Sequence, residues 1–435
     1  MSHLSIGLLS LAGIAFAIYA GFHVAIALAG ISILGVWAIT GKFALALNFV
    51  ALAATDSIAE YTFGVVPLFV LMGIAVSESG LGRDTFAIVA RGLSGWRGGL
   101  GVATVVSNAI FAAITGISIA SAAVFARVAV PEMVRAGTNR TVAVGTVAGS
   151  SVLGMLIPPS LLLILFAVLT DSSVGDLFLA GIGPGVLLAA AFCVYLTLLG
   201  RLRPDLFEGP VGSTPAAQDD TPTWLILPVV LLAAAVLGGI YSGIFTATEA
   251  GAVGAAASLF LAFAMRRVKA RDAWRIATKT GHITAAVSFL IIGASIYSRM
   301  LGFSGVPAAI TEWAIASGIG ATGFLFLFCV ILIVLGTVLD SSSILLLTVP
   351  LAFPITQSLG INPVHFGLVS VLAVEIGLLT PPLGLSVFVV QSTLRDEGVT
   401  LREVFVGAAP FAAIMAAVLA AVILVPSIAI GLLSH

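Results

Sequence analysis

The sequence predicts an all-α polytopic membrane protein built from two related halves, and three observations predict it. Of 435 residues 60% are apolar and 9% charged, with a mean hydropathy of +1.22. A soluble domain carries roughly 25% charged residues, and a soluble fold of this size cannot hide so much apolar surface. The chain's only two Pro-Pro pairs, Pro158-Pro159 and Pro381-Pro382, lie 223 residues apart. The same displacement relates Gly154 to Gly377, Pro131 to Pro354, Gly137 to Gly360 and Ser118 to Ser341. Finally, basic residues gather in a few segments between apolar runs and orient the halves oppositely. This composition excludes a secreted or cytosolic enzyme and a disordered chain. A net charge of −1 without a basic face excludes a nucleic-acid partner. Cys193 and Cys329 both fall inside apolar runs and read as packing residues.

A helix needs about 20 apolar residues to cross a bilayer. Residues 5–39 suffice for two short spans with a turn near Gly21-Phe22-His23. Met1-Ser2-His3-Leu4 lacks the basic start of a cleaved signal peptide, so the first run is expected to stay as a helix. Further runs fall at 61–79, 100–130, 141–170 and 177–200. A polar break at 201–222, with Arg201, Arg203, Pro204, Glu208, Pro210, Pro215, Asp219 and Asp220, reads as a linker. Beyond it come runs at 223–265 (two spans), 282–303, 321–360, 363–394 and 403–433.

Segment 266–282 holds Arg266, Arg267, Lys269, Arg271, Arg275 and Lys279 against Asp272 alone, the mark of a cytoplasmic loop. Arg83, Arg91 and Arg97 place 80–99 on the same side, as do Arg135 and Arg140 for 135–140. Asp56, Glu60, Asp171 and Asp176 stand where basic residues are few, and are read as outside. Residues 100–134 then leave the cytoplasm and return to it, interrupted by Thr115-Gly116-Ile117-Ser118. This is either two spans or a re-entrant hairpin. Residues 321–360, interrupted by Asp340-Ser341-Ser342-Ser343, begin and end outside.

Proline cannot continue the helical hydrogen-bond ladder, so each Gly-x-x-x-Pro-Pro should unwind its helix at mid-membrane depth. The freed backbone groups are tolerated only where protein or a water-lined cavity meets them. Paired interrupted segments in two halves point to the central site of a secondary transporter. There the carbonyl ends of half-helices suit a cation and the N–H ends an anion.

The motifs resemble a known family. Ile114-Thr115-Gly116-Ile117-Ser118, continuing to Val130-Pro131-Glu132-Met133, looks like the first hairpin of the large membrane subunit of TRAP (tripartite ATP-independent periplasmic) transporters. Leu153-Gly154-Met155-Leu156-Ile157-Pro158-Pro159-Ser160 and Asp176-Leu177-Phe178-Leu179-Ala180-Gly181 are similar to two further motifs of that subunit. In the second half so are Thr248-Glu249-Ala250, Asn362-Pro363-Val364-His365-Phe366-Gly367 and Glu375-Ile376-Gly377-Leu378-Leu379-Thr380-Pro381-Pro382-Leu383-Gly384. Ile117, Ser151-Val152 and Ala373 depart from the usual pattern. The resemblance implies a sodium-driven, elevator-type importer of a small organic acid in the bacterial cytoplasmic (inner) membrane. Sodium is the coupling ion, and no other cofactor is expected. The implied partners are a periplasmic substrate-binding protein and a small four-helix membrane subunit, the latter a separate chain because no four-helix segment precedes residue 5. The implied fold has two inverted repeats, 1–200 and 223–435, joined by a cytoplasmic linker at 201–222. It comprises about ten spanning helices, re-entrant hairpins at 100–134 and 321–360, and unwound helices at 141–170 and 363–394. A single-component or proton-coupled carboxylate carrier is the alternative.

On this reading sodium is held by Gly116, Ser118, Ser121, Gly149, Ser150, Gly154, Asp340, Ser341, Ser342, Gly377 and Thr380. The substrate meets Ser118, Ser151, Pro158, Ser342 and Pro381, with backbone N–H groups near 117–121 and 341–344 supplying positive potential. Competing roles stay open: Ser118 and Asp340 as helix caps, and Gly149, Gly154 and Gly377 as packing glycines. Glu375 either shapes the second site or pairs with a cation such as Arg299. Glu249 reads as a mid-helix hydrogen-bonding residue, Arg127 as a snorkelling cation, and His365 as a surface or capping residue. An intramembrane hydrolase using Asp340 with Glu375 lacks any characteristic motif.

Overall fold

The computed structural model describes residues 2–59, 61–208 and 221–433, whose regular structure is helical, with turns and loops between the helices and one isolated bridge, Thr138 to Phe207. The chain opens with α1 (His3–Tyr19), α2 (Val24–Thr40) and α3 (Phe43–Ala59). Then α4 (Val65–Glu78) and α5 (Leu81–Leu93) form one apolar segment bent by 62°. Next come α6 (Gly99–Thr115), α7 (Ser118–Arg135), α8 (Arg140–Ser151), the single turn α9 (Leu153–Leu156), α10 (Leu161–Thr170) and α11 (Val174–Leu202). The later part holds α12 (Leu227–Tyr241), α13 (Ala247–Ala264), α14 (Ala270–Ser304), α15 (Val306–Ala316), α16 (Ala321–Gly336), α17 (Ser341–Ser358), α18 (Pro363–Gly377), α19 (Leu385–Thr393), α20 (Leu401–Leu424) and α21 (Ser427–Ile430).

Among the described residues seven helical segments are long and apolar enough to cross a membrane, or eight with the bent α4–α5 pair. The expectation of about ten is not reached by length, because α1, α2 and five other apolar helices have 10–17 residues. Two local readings are corrected. The basic segment 266–282, read as a loop, is helical from Ala270 and opens the 35-residue α14. At 1.5 Å per residue that helix is about 50 Å long, against a hydrocarbon thickness of about 30 Å, so its charged start projects beyond the apolar layer. Three of the segment's six basic residues are paired: Arg275 Nη2 lies 2.8 Å from Glu78, Lys279 meets the same carboxylate, and Arg267, just before the helix, has its Nη2 2.7 Å from Asp84. The second correction is α3, which no apolar run announced. Asn48, Thr55, Asp56 and Ser57 dilute its hydropathy, but its alanines and leucines favour helix. Glu60 and linker residues 209–220, including Pro210, Pro215, Asp219 and Asp220, lie outside the described residues.

The packing that positions the site is reciprocal. The returning arm α7 of the first hairpin packs on α19, the half-helix after the second Pro-Pro. The returning arm α17 of the second hairpin packs on α10, the half-helix after the first. Glycines bring helices into backbone contact. A Cβ at Gly145 of α8 would stand 2.1 Å from the Gly407 carbonyl carbon of α20, and one at Gly377 would stand 2.6 Å from Gly336 Cα. Such approach is the usual basis of helix association in lipid, where no hydrophobic force drives helices together.

Candidate functional site

Both proline pairs interrupt a helix, and each interruption is tied to the tip of a hairpin. After α9, Ile157 turns extended and Pro158-Pro159 follows as a cis peptide. Ser160 then caps α10, accepting from Leu163 N at 3.3 Å and donating to the Met155 carbonyl. Leu161 N donates to the Gly116 carbonyl at 3.1 Å, fixing the tip of the first hairpin against the break. Gly116 has φ +63, and a Cβ there would fall 2.4 Å from the Pro159 carbonyl oxygen, so conformation and space both demand glycine. At the second break the helix stops at Gly377, residues 378–384 are non-helical around the cis Pro381-Pro382, and Leu383 N donates to the Thr337 carbonyl at 3.1 Å. Thus each break spends a backbone hydrogen bond on its own hairpin.

Two buried polar clusters sit at these junctions. In the first, Asn108 of α6 bridges hairpin and broken helix: its Nδ2 donates to Ser150 Oγ at 2.6 Å, and its Oδ1 accepts from Ser121 Oγ. Ser150 Oγ donates onward to the Thr146 carbonyl at 2.7 Å. All three side chains are fully buried. The second cluster centres on Glu375 in the last turn of α18, 1% exposed. Ser341, at the start of α17, donates to Glu375 Oε1 at 3.2 Å. Ser118, at the start of α7, lies close enough to interact with the same carboxyl, though no good hydrogen bond closes it. Glu375 Oε2 and Ser118 Oγ are both buried without a hydrogen-bond partner. The residues opening the two returning arms therefore face one carboxyl.

The remaining candidates fall around these clusters. Gly154 lies under the first tip, where a Cβ would stand 3.2 Å from the backbone of Ile117 and Ser118. Ser151 Oγ donates to the Ala148 carbonyl at 2.8 Å, and Thr380 Oγ1 to the Ile376 carbonyl at 2.8 Å, both leaving lone pairs open. Pro158 and Pro381 begin the turns of their breaks. Asp340 is half-buried and is the N-cap of α17, accepting from Ser343 N at 3.1 Å and from the Ser343 hydroxyl. Ser342, in the first turn of α17, is half-buried. Gly149 belongs to the packing of α8 on α20, since a Cβ there would strike the Phe411 ring at 2.3 Å.

Three sequence assignments are corrected. Arg299 does not pair with Glu375: its Nη1 lies 2.9 Å from Asp56 Oδ2. Glu249 is not mid-helix; it stands in the first turn of α13, and its carboxylate closes a capping box with Thr246. His365 is not at the surface; it is 3% exposed, and its Nε2 lies 2.8 Å from the Val422 carbonyl, joining α18 to α20. Asn108 was missed. Its signal was present, an amide inside an apolar run, and polar side chains at membrane depth commonly join helices.

The first turns of α7 and α17 bring N–H groups to this region, while the last turns of α9 and α18 bring carbonyls. Helix N-termini favour anions and C-termini favour cations. Hard cations take oxygen ligands; free carbonyls, hydroxyls and the open Glu375 oxygen are such donors. Among the described residues no group of three or more His, Cys, Asp or Glu side chains is placed to hold a metal.

Comparison with known proteins fits this arrangement. A family model for the "Tripartite ATP-independent periplasmic transporter, DctM component" matches residues 11–428. The chain is 33% identical over 377 residues to the C4-dicarboxylate TRAP transporter large permease protein of Pseudomonas aeruginosa, covering 86% of each chain. It is 32% identical to the protein of the same name from Rhodobacter capsulatus, covering 95% of this chain and 97% of that one. Among solved structures, the YdaH transporter of Alcanivorax borkumensis superposes with a TM-score of 0.61 over 87% of this chain and 88% of that one. At 14% identity this likeness speaks to fold alone.

Proposed function

This chain belongs to the DctM family of tripartite ATP-independent periplasmic transporters, as a large permease, and from that premise we propose a sodium-coupled importer of a small organic acid. It works in the bacterial cytoplasmic membrane with a periplasmic substrate-binding protein and a small four-helix subunit. Its relatives named for C4-dicarboxylates support a carboxylate-bearing substrate.

The observation that carries this reading is the convergence of both hairpin tips on Glu375 beside two helix breaks. A buried carboxyl with one oxygen unpartnered is costly, and the open oxygen and the carbonyl ends provide for a desolvated cation. The mechanism follows from these groups. Sodium is held at the tips by Ser118, Ser341 and the carbonyls at the breaks. A bound cation offsets the negative ends of the half-helices, and the N–H groups opening α7 and α17 then favour an acid alongside it. Releasing either partner weakens the hold on the other, which is coupling in the thermodynamic sense.

We read 1–200 and 223–435 as inverted repeats joined by 201–222, with 100–134 and 321–360 re-entrant and the site carried as a body by an elevator motion. Helix starts support the repeat: α7 begins at Ser118 and α17 at Ser341, and α8 begins at Arg140 and α18 at Pro363. The test is uptake into proteoliposomes holding the permease, its small subunit and its binding protein. Withdrawing sodium should stop uptake, and Ser118→Ala should weaken the sodium dependence. Uptake that ignores sodium but stops when a pH gradient collapses would replace this reading with proton coupling. Uptake without the binding protein would make it a single-component carrier.

A further inference from the structure

A cleft of about 260 Å³ opens between two walls, its lining distinct from the residues of the two breaks. One wall is α3 and α14, giving Asp56, Ser295, Ser298 and Arg299; the other is the end of α10 and the middle of α17, giving Asp171 and Pro350. Its charged side chains are one cation and two anions. Arg299 and Asp56 form an ion pair, with side chains 38% and 47% exposed. Pairs this exposed contribute little and exchange readily, so an incoming carboxylate can take the guanidinium, whose planar fork suits it. Asp171 is different. It is exposed, makes no ion pair among the described residues, and takes φ +50 as the C-cap of α10. The carbonyl end of α10 adds negative potential there, so Asp171 and its helix end together favour a positive group.

We propose that this cleft takes a zwitterionic small acid, with its carboxylate on Arg299 and its cationic group on Asp171. A dianion finds one guanidinium there, already shared with Asp56, and an uncompensated carboxylate opposite. A ligand carrying both charges meets a partner on each wall and leaves no like charges facing. The Ser295 and Ser298 hydroxyls add neutral hydrogen-bonding capacity to the Arg299 wall. This names the substrate class of the importer proposed above and rests on that reading, with the cleft as its entry site.

The test compares succinate with 4-aminobutanoate, four-carbon chains that differ in the charge at one end. Binding to the purified full-length chain is measured by calorimetry. 4-Aminobutanoate should bind about tenfold tighter or better. Asp171→Asn should reduce that ratio to about one; asparagine tolerates the left-handed conformation, so this variant keeps the cap. Arg299→Gln should weaken both ligands. The inference is overturned by equal or tighter binding of succinate, by an unchanged ratio in Asp171→Asn, or by binding of neither probe. Sodium-driven uptake of whatever solute the binding protein delivers is measured separately, and survives each of those outcomes if the transport reading holds.

Discussion

The two helix breaks share a backbone plan and differ in chemistry. At the first, Ser121, Asn108 and Ser150 form a neutral chain with its hydrogen bonds made. Displaced by 223 residues, those positions hold Ile344, Ile331 and Ala373. At the second, Glu375 carries a carboxyl with one oxygen open, and its counterpart in the first is Val152. A backbone that recurs does not oblige the side chains to recur. The neutral chain fastens one hairpin to its broken helix. The carboxyl instead faces residues that open both hairpins' returning arms, and keeps one oxygen without a hydrogen-bond partner.

This contrast can be broken most forcefully at the glycines. A Cβ on Gly377 meets Gly336 Cα at 2.6 Å, backbone against backbone, whereas one on Gly154 meets its nearest atoms at 3.2 Å. Gly377→Ala should destabilise by about 2–3 kcal/mol and Gly154→Ala by under about 1 kcal/mol, read as thermal unfolding of the purified protein in detergent. Equal losses would erase the asymmetry. Next in size, Asn108→Ala strands the buried Ser121 hydroxyl, takes from Ser150 the donor it accepts, and should cost about 2 kcal/mol, with little change in the sodium concentration for half-maximal uptake. A large change there would move the cation into the first cluster.

Glu375→Gln keeps the shape and puts an amide where the carboxyl stands. It should raise the sodium concentration for half-maximal uptake about tenfold, near 1.4 kcal/mol, while the protein stays folded. An unaltered sodium titration would reduce Glu375 to a fastening residue. The smallest effect belongs to Arg140, whose exposed guanidinium pairs with Glu403 and so ties α8 to α20 at the surface. Arg140→Ala should cost about 0–1 kcal/mol, with the difference fading at high salt and sodium dependence unchanged.

Much of this molecule is legible along the chain. The turn at Gly21-Phe22-His23, the hairpin interruption at 115–118 and both Pro-Pro breaks fall where local chemistry puts them. Apolar run length, glycine conformation and proline's missing donor are properties of a few consecutive residues. The exceptions are also local in cause: α3 is polar enough to escape a hydropathy reading, and the basic residues of 270–282 continue a helix because Arg and Lys are good helix formers. The second hairpin's interruption begins at Thr337 rather than Asp340, and Asp340 serves it as a cap.

The site was legible in type but not in partnership. Ser118, Ser341 and the breaks were visible as punctuation. That Glu375 answers to serines rather than to Arg299, that Asn108 joins Ser121 to Ser150, and that His365 is buried against α20 were not. By itself the sequence determined where helices start, stop and break, since those depend on neighbours within a turn or two. Only the tertiary structure decided which oxygen faces which. Glu375 lies 34 residues from Ser341, and Arg299 is 243 from Asp56; such meetings depend on how whole helices cross, which no short stretch of chain encodes.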